Sequence, residues 1–153
     1  MATTYKISSE LYDESFGLIA LHSSMPAYTL VYYLNSTMEL RLSRLENDFK
    51  IGRGNFPVYE WYDEKTDSSY YVYGNQSTEE ETLESVGLFS NASTIKSYYL
   101  LDEKKECDYF FRIDTDFPKI ESNVLRQIKL IEGIALAYLV DVDTLKSKQN
   151  LIL

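Results

Sequence analysis

The stretch DYFFRIDTDFPKIESNVLRQIKLIEGIALAYLVDV, from Asp108 to Val142, decides how the chain is read. It opens on a short, mostly apolar run ending at Ile113, which reads as a strand. Asp114-Thr115-Asp116-Phe117-Pro118 follows. Ile120, Val124, Leu125, Ile128 and Ile131 then recur at the spacing that lines one face of a helix. Asp116 is placed to cap that helix, because a carboxylate there accepts from free first-turn amides. Pro118 is tolerated in a first turn, where its missing N–H breaks no bond. Gly133 can close the helix in the left-handed conformation. Beyond it, Ile134, Leu136, Tyr138, Val140 and Val142 alternate as one face of a strand.

A similar pattern stands 92 positions earlier, His22 falling where Asp114 falls. Phe16 to Leu21 is an apolar run that reads as a central, covered strand. His22-Ser23-Ser24-Met25-Pro26 then matches Asp114 to Pro118 by residue type. A helical segment follows to about Thr37, with Ala27, Leu30, Val31 and Leu34 as its core stripe. Alternation from Met38 (Met38, Leu40 and Leu42 inward, Glu39 and Arg41 outward) reads as a half-buried strand. Two βαβ halves, 16–45 and 108–142, predict an α+β, ferredoxin-like chain: a split βαβ repeat making an antiparallel sheet with two helices.

Between the halves lies an insertion, 55–97. Phe49 to Phe56, with Gly52 and Gly54, reads as a loop. Val58 to Tyr62 and Tyr70 to Tyr73 are aromatic, β-prone runs around the polar Asp63 to Ser69, which predicts a hairpin. Gly74 to Ser97 is read as a partly packed excursion, rich in Glu79, Glu80, Glu81 and Glu84, with Leu83, Val86, Leu88 and Phe89 to bury. Tyr98 to Leu101 is expected to pair, through Asp102–Glu106, with the strand near Asp108. The tail, 144–153, ends in Leu151-Ile152-Leu153 and is expected to dock on its own sheet edge or on a second copy. The whole chain, 1–153, is read as one domain.

The formal charge is −9, from 15 basic and 24 acidic residues. Nucleic-acid binders cluster Lys and Arg, so no nucleic-acid partner is expected, and anionic membrane surfaces are disfavoured for the same reason. No apolar run approaches the roughly 20 residues that span a bilayer. The first residues lack the basic and apolar regions of a signal peptide, and one cysteine allows no intrachain disulfide; both point to a cytoplasmic protein. Tyrosine is abundant, 14 of 153 residues. Such side chains suit sheet surfaces and are also enriched at interfaces. Tyr59, Trp61, Tyr71 and Tyr73 of the predicted hairpin are therefore the candidate interaction surface.

One candidate site follows from the duplication. The reading sets the first and third strands side by side and parallel, so His22, Ser23 and Ser24 would sit beside Asp114 and Asp116. An imidazole next to two carboxylates can hold a small ligand or act as a general base. Capping accounts equally for Ser24 and Asp116. Asp141 and Asp143 form a second acidic pair, read as solvated. Cys107 lies between Glu106 and Asp108, which would not activate a thiol. Phosphate loops, CxxC pairs and nucleophile elbows are absent from the sequence. No cofactor, metal site or catalytic residue is expected.

At Leu101-Asp102-Glu103-Lys104-Lys105-Glu106-Cys107-Asp108-Tyr109 the chain resembles the IPExxxVDY family, small proteins of Bacteroidetes. Glu103, Asp108 and Tyr109 match the motif; Leu101, Asp102 and Cys107 replace its Ile, Pro and Val. Leu18-Ile19-Ala20-Leu21-His22-Ser23-Ser24, the Glu60-Trp61 hairpin and the Val140-Asp141-Val142-Asp143 end also look like that family. The family has no assigned activity, so the resemblance carries over no catalytic residue. Read physically, the motif is a structural corner: Asp108 and Tyr109 pin a turn by hydrogen bonds. The expected function is a non-enzymatic module that recognises a protein partner or forms a homodimer. The alternative is a sensor resembling ACT domains, with a small ligand at the turn His22–Pro26; an enzyme built on His22, Asp114 and Asp116 ranks third.

Overall fold

A computed structural model describes residues 16–82 and 93–151. The chain runs β1 (Gly17–Ser23), α1 (Ala27–Met38), β2 (Ser43–Arg44), β3 (Phe49–Ile51), β4 (Gly54–Phe56), β5 (Val58–Asp63) and β6 (Ser68–Gly74). Then come β7 (Gln76–Thr82), β8 (Ser93–Tyr99), β9 (Tyr109–Asp114), α2 (Ile120–Ile128) and β10 (Ile134–Leu139). Six strands form one sheet in the order β10-β1-β9-β6-β5-β2, while β3-β4 and β7-β8 are separate two-stranded ribbons. Every pairing is antiparallel. The fold is thus mixed α+β, with an antiparallel sheet and two helices.

Both halves contain strand, helix and a following strand, but the first departs from expectation after its helix. Glu39 adopts the left-handed conformation and closes α1. The alternation of Met38, Leu40 and Leu42 survives as burial, with Leu42 in the core, but no ladder forms until Ser43. Asn35 explains this: its amide donates to the Leu42 carbonyl (3.1 Å) and its oxygen accepts from the Leu42 N–H (3.0 Å). A helix side chain therefore satisfies the backbone that a longer strand would have exposed at the sheet edge. In the second half α2 begins at Ile120, after Lys119 in the left-handed conformation, so Asp116 does not cap it. The Thr115 hydroxyl instead takes the Phe117 N–H (3.2 Å). At the matching place in the first half Ser23, not Ser24, makes the turn, accepting from Met25 N–H (3.2 Å).

Alternation along the strands divides the interior in two. On one face Ile19, Leu21, Phe111, Ile113, Val72 and Tyr70 meet Leu30, Val31 and Leu34 of α1 and Val124 and Ile128 of α2. On the other Leu18, Ala20, Phe110 and Tyr73 meet Phe56, Leu100, Leu101, Val142, Leu145 and Leu151. Each fully buried Leu or Ile contributes about 1.5–3 kcal/mol. The second layer is why β1 is apolar on both sides. Gly133 (φ +94°) turns the chain from α2 into β10, and a Cβ there would stand 2.9 Å from the Met25 sulfur. A one-residue shift between β1 and β10 at His22/Ser23 then reverses the facing, so Ile134 joins the helical core while Tyr138 and Val140 join the other.

The aromatic hairpin expected from Val58 to Tyr73 is present as β5-β6, with its turn at 64–67. Phe49 to Phe56 is not a loop: Gly52, at φ +59°, allows a tight turn between β3 and β4. The Glu-rich excursion is the β7-β8 ribbon, so Tyr98 pairs with Ser77 and not with the strand near Asp108. Leu83, Val86, Leu88 and Phe89 lie outside the described residues. The tail docks on the face of its own sheet, where Leu151 is buried and its carbonyl accepts from Tyr73 Oη (3.3 Å) and from the Arg112 guanidinium.

Candidate functional site

The segment 100–109 is held by a residue far away in sequence. Asn75, fully buried between β6 and β7, donates from its amide to the carbonyls of Lys104 and Cys107 (2.8 Å each). Its side-chain oxygen accepts from Leu101 N–H (3.0 Å), and its backbone bonds Leu100 and Asp108. Asp108 accepts from the Ser23 N–H (2.8 Å), and the Tyr109 hydroxyl donates to the Met25 carbonyl (2.5 Å). Glu103 accepts from the Ser147 N–H and hydroxyl, 2.8 Å each, tying the corner to the tail. Those contacts and burial act in opposite senses on Glu103, and its pKa is lowered on balance. The segment does form a corner, but Asp108 and Tyr109 pin the turn after β1 and not the turn at 102–106, which Asn75 holds; Glu103 ties it to the tail. The sequence reading placed Asn75 only within the excursion from Gly74 to Ser97, with no role of its own.

Beside the corner three reactive side chains meet. Cys107 Sγ lies 3.5 Å from His22 Nε2 and 3.2 Å from Tyr138 Oη, and His22 Nε2 is 3.4 Å from the same hydroxyl. Burial pushes the Cys107 thiol up, with the Tyr138 hydrogen bond opposing it. The contact with Cys107, and secondarily burial, pushes Tyr138 up to about 12. A neutral, buried thiol is a poor nucleophile. The sequence reading missed this cluster, because 85 residues separate His22 from Cys107. Among the described residues no group of three or more His, Cys, Asp or Glu is placed to hold a metal ion.

The expected His22–Asp114 site does not form. β1 and β9 run antiparallel, with Gly17 opposite Ile113 and Leu21 opposite Tyr109. His22 and Asp114 thus lie at opposite ends of the pair, about 20 Å apart at about 3.4 Å per residue. Ser23 is buried and donates to the Gly133 carbonyl (2.7 Å); Ser24 is exposed. Asp114 forks onto Arg112 at 2.7–2.8 Å, and Asp116 is exposed. At the turn after β1 Met25 and Tyr109 pack on the helical core, and the Tyr109 hydroxyl bonds the Met25 carbonyl. Asp141 accepts from Asp143 N–H (3.1 Å), and Asp143 is 3.6 Å from Lys148.

The four aromatic candidates do not make one surface. Tyr59 (8% exposed) and Tyr73 (1%) are core residues. Trp61 packs on the helical side, stacked on Tyr70, and Tyr71 on the opposite side. Alternation sends neighbouring strand residues to opposite faces, so an aromatic run became two core contributions. The open surface is at the sheet's edges. β10 lies at one end with six residues, IALAYL, none charged. Val140 N–H bonds the Leu18 carbonyl (2.8 Å), so Tyr138 also faces β1 while Ala137 and Leu139 turn their backbone groups away from it; Ala137 is buried in the helical core, and Leu139 is exposed. Among the described residues nothing pairs with that outer side. Leu136 (52% exposed) and Leu139 (43%) flank it on opposite faces.

No helix among the described residues is long and apolar enough to cross a membrane. No family model, curated protein or solved structure matches the chain.

Proposed function

We propose that this protein is a non-enzymatic interaction module that pairs with a second copy of itself through β10. The observation that carries the reading is the open, uncharged edge of that strand. An exposed apolar edge is a template for another strand, and native proteins normally blunt such edges with charge, proline or short length. The opposite edge of the same sheet is blunted: β2 is two residues long, contains Arg44, and Asn35 occupies the backbone of Leu42. A strand laid antiparallel against its own copy is self-complementary about a two-fold axis. Its lack of charge matters in a chain of net charge −9, where most surfaces would repel a copy.

In this reading the core of the sheet, β10-β1-β9-β6 with α1 and α2, is ferredoxin-like, which the strand order and the antiparallel pairing support. The likeness to the IPExxxVDY family enters as architecture. Its motif residues build the corner that fixes the end of β1, the strand on which β10 rests. The test is the solution mass by light scattering over a range of concentrations. A dimer that becomes a monomer when Leu136 and Leu139 are both changed to Lys supports the proposal. A parent chain that stays monomeric throughout rejects it.

A further inference from the structure

At the far side of the sheet the short β2 leaves a polar groove of about 260 Å³. Ser43 stands opposite Glu60 and Glu60 opposite Tyr71; one step along, Tyr62 stands opposite Ser69. These side chains therefore share one face. Arg41, two residues before Ser43, completes the array where β2 would have paired with Tyr62. The ladder has stopped there, however. Gly74 N–H bonds the Pro57 carbonyl, and Leu45 N–H bonds the Val58 carbonyl. The alternation that follows turns the backbone of Tyr62 away from β6 and toward the gap. The β2–β5 ladder ends at Glu60, one step before Tyr62, and among the described residues neither Arg41 nor Glu60 has an ion pair.

The groove thus presents a planar cation, an anion, an open amide and carbonyl, and aromatic rings within one small volume. It falls just under the roughly 300–1,000 Å³ of sites that take drug-sized ligands, which limits the occupant to a small molecule. A guanidinium fork matches a carboxylate, and a carboxylate matches an ammonium group. We propose that this groove binds a free aromatic α-amino acid as its zwitterion. Arg41 takes the carboxylate, Glu60 the ammonium group, and the ring lies against Tyr71.

Trp61 is the sole tryptophan of the chain and lines the groove, so its fluorescence reports occupancy directly. The full-length chain is titrated with L-phenylalanine, with phenylacetate and phenethylamine as probes that each lack one charge. The expected result is saturable quenching or shift with L-phenylalanine, and weakening of about tenfold or more with either single-charge probe. Arg41→Gln and Glu60→Gln each weaken L-phenylalanine by a similar factor. Both side chains are exposed, so these variants keep the fold. No response to L-phenylalanine in the millimolar range overturns the proposal. So does equal binding of all three probes, or binding that neither substitution changes.

Discussion

The corner at residues 100–109 and the edge strand β10 both rest on β1, and they follow opposite rules. In the corner every buried side-chain nitrogen and oxygen has a partner, and Asn75 alone fastens both ends of the segment. In β10 alternate backbone groups face outward with nothing to accept or donate among the described residues. A buried polar network is costly to leave half-satisfied, so a complete one marks architecture. An open edge is costly to leave exposed, so one that is not blunted marks a place where something adds. The corner thus belongs to the scaffold, while the partner surface proposed above lies on an edge strand that the sequence marked only by its alternation.

If the two regions differ in this way, damaging one should cost stability and damaging the other should cost association. The largest expected effect is Asn75→Ala. It leaves the Cys107 carbonyl and the Leu101 N–H unpaired and removes one of the two donors to the Lys104 carbonyl, for a loss of about 2 kcal/mol or more in urea denaturation. Asp108→Ala frees only the Ser23 N–H and should cost about 1–3 kcal/mol. Both variants, where folded, should self-associate as the parent does. Leu136→Lys with Leu139→Lys should do the reverse. Monomer stability should stay within about 0.5 kcal/mol, because both side chains are exposed, while the mass falls to that of one chain.

The smallest effect sharpens the boundary, since Tyr138 belongs to β10 yet touches Cys107. Its hydroxyl titrates higher in the fold than in the unfolded chain, so it contributes stability below pH about 10. That contribution is lost as the pH rises toward about 12. Burial raises Tyr73 in the same sense. Urea midpoints followed by Trp61 fluorescence should therefore fall across this alkaline window, and Tyr138→Phe should flatten the slope only in part.

Much of this architecture was legible beforehand. The helical spacing of Leu30, Val31 and Leu34, and of Val124 and Ile128, placed both helices, and the aromatic runs placed β5 and β6. Asp108 and Tyr109 were legible as turn-pinning residues, but the turn they pin is the one after β1. What was not legible depended on contacts between residues far apart in the chain. Asn35 ended a strand that alternation had predicted, and Asn75 reached a segment 25–33 residues on. The pairing direction of β1 and β9 moved His22 away from Asp114 and toward Cys107. Periodicity shows which residues share a face, but not which strand lies next to it or in which sense it runs.

The most direct test of edge pairing is amide hydrogen exchange within β10, followed by NMR as protein concentration is raised. Tyr138 N–H, directed toward β1, should be protected at every concentration. Leu139 N–H, on an exposed residue, should exchange quickly in dilute protein and become protected as copies pair. Fast exchange of the Leu139 amide at concentrations where the chain is dimeric would contradict the account, because the dimer would then be built on another surface.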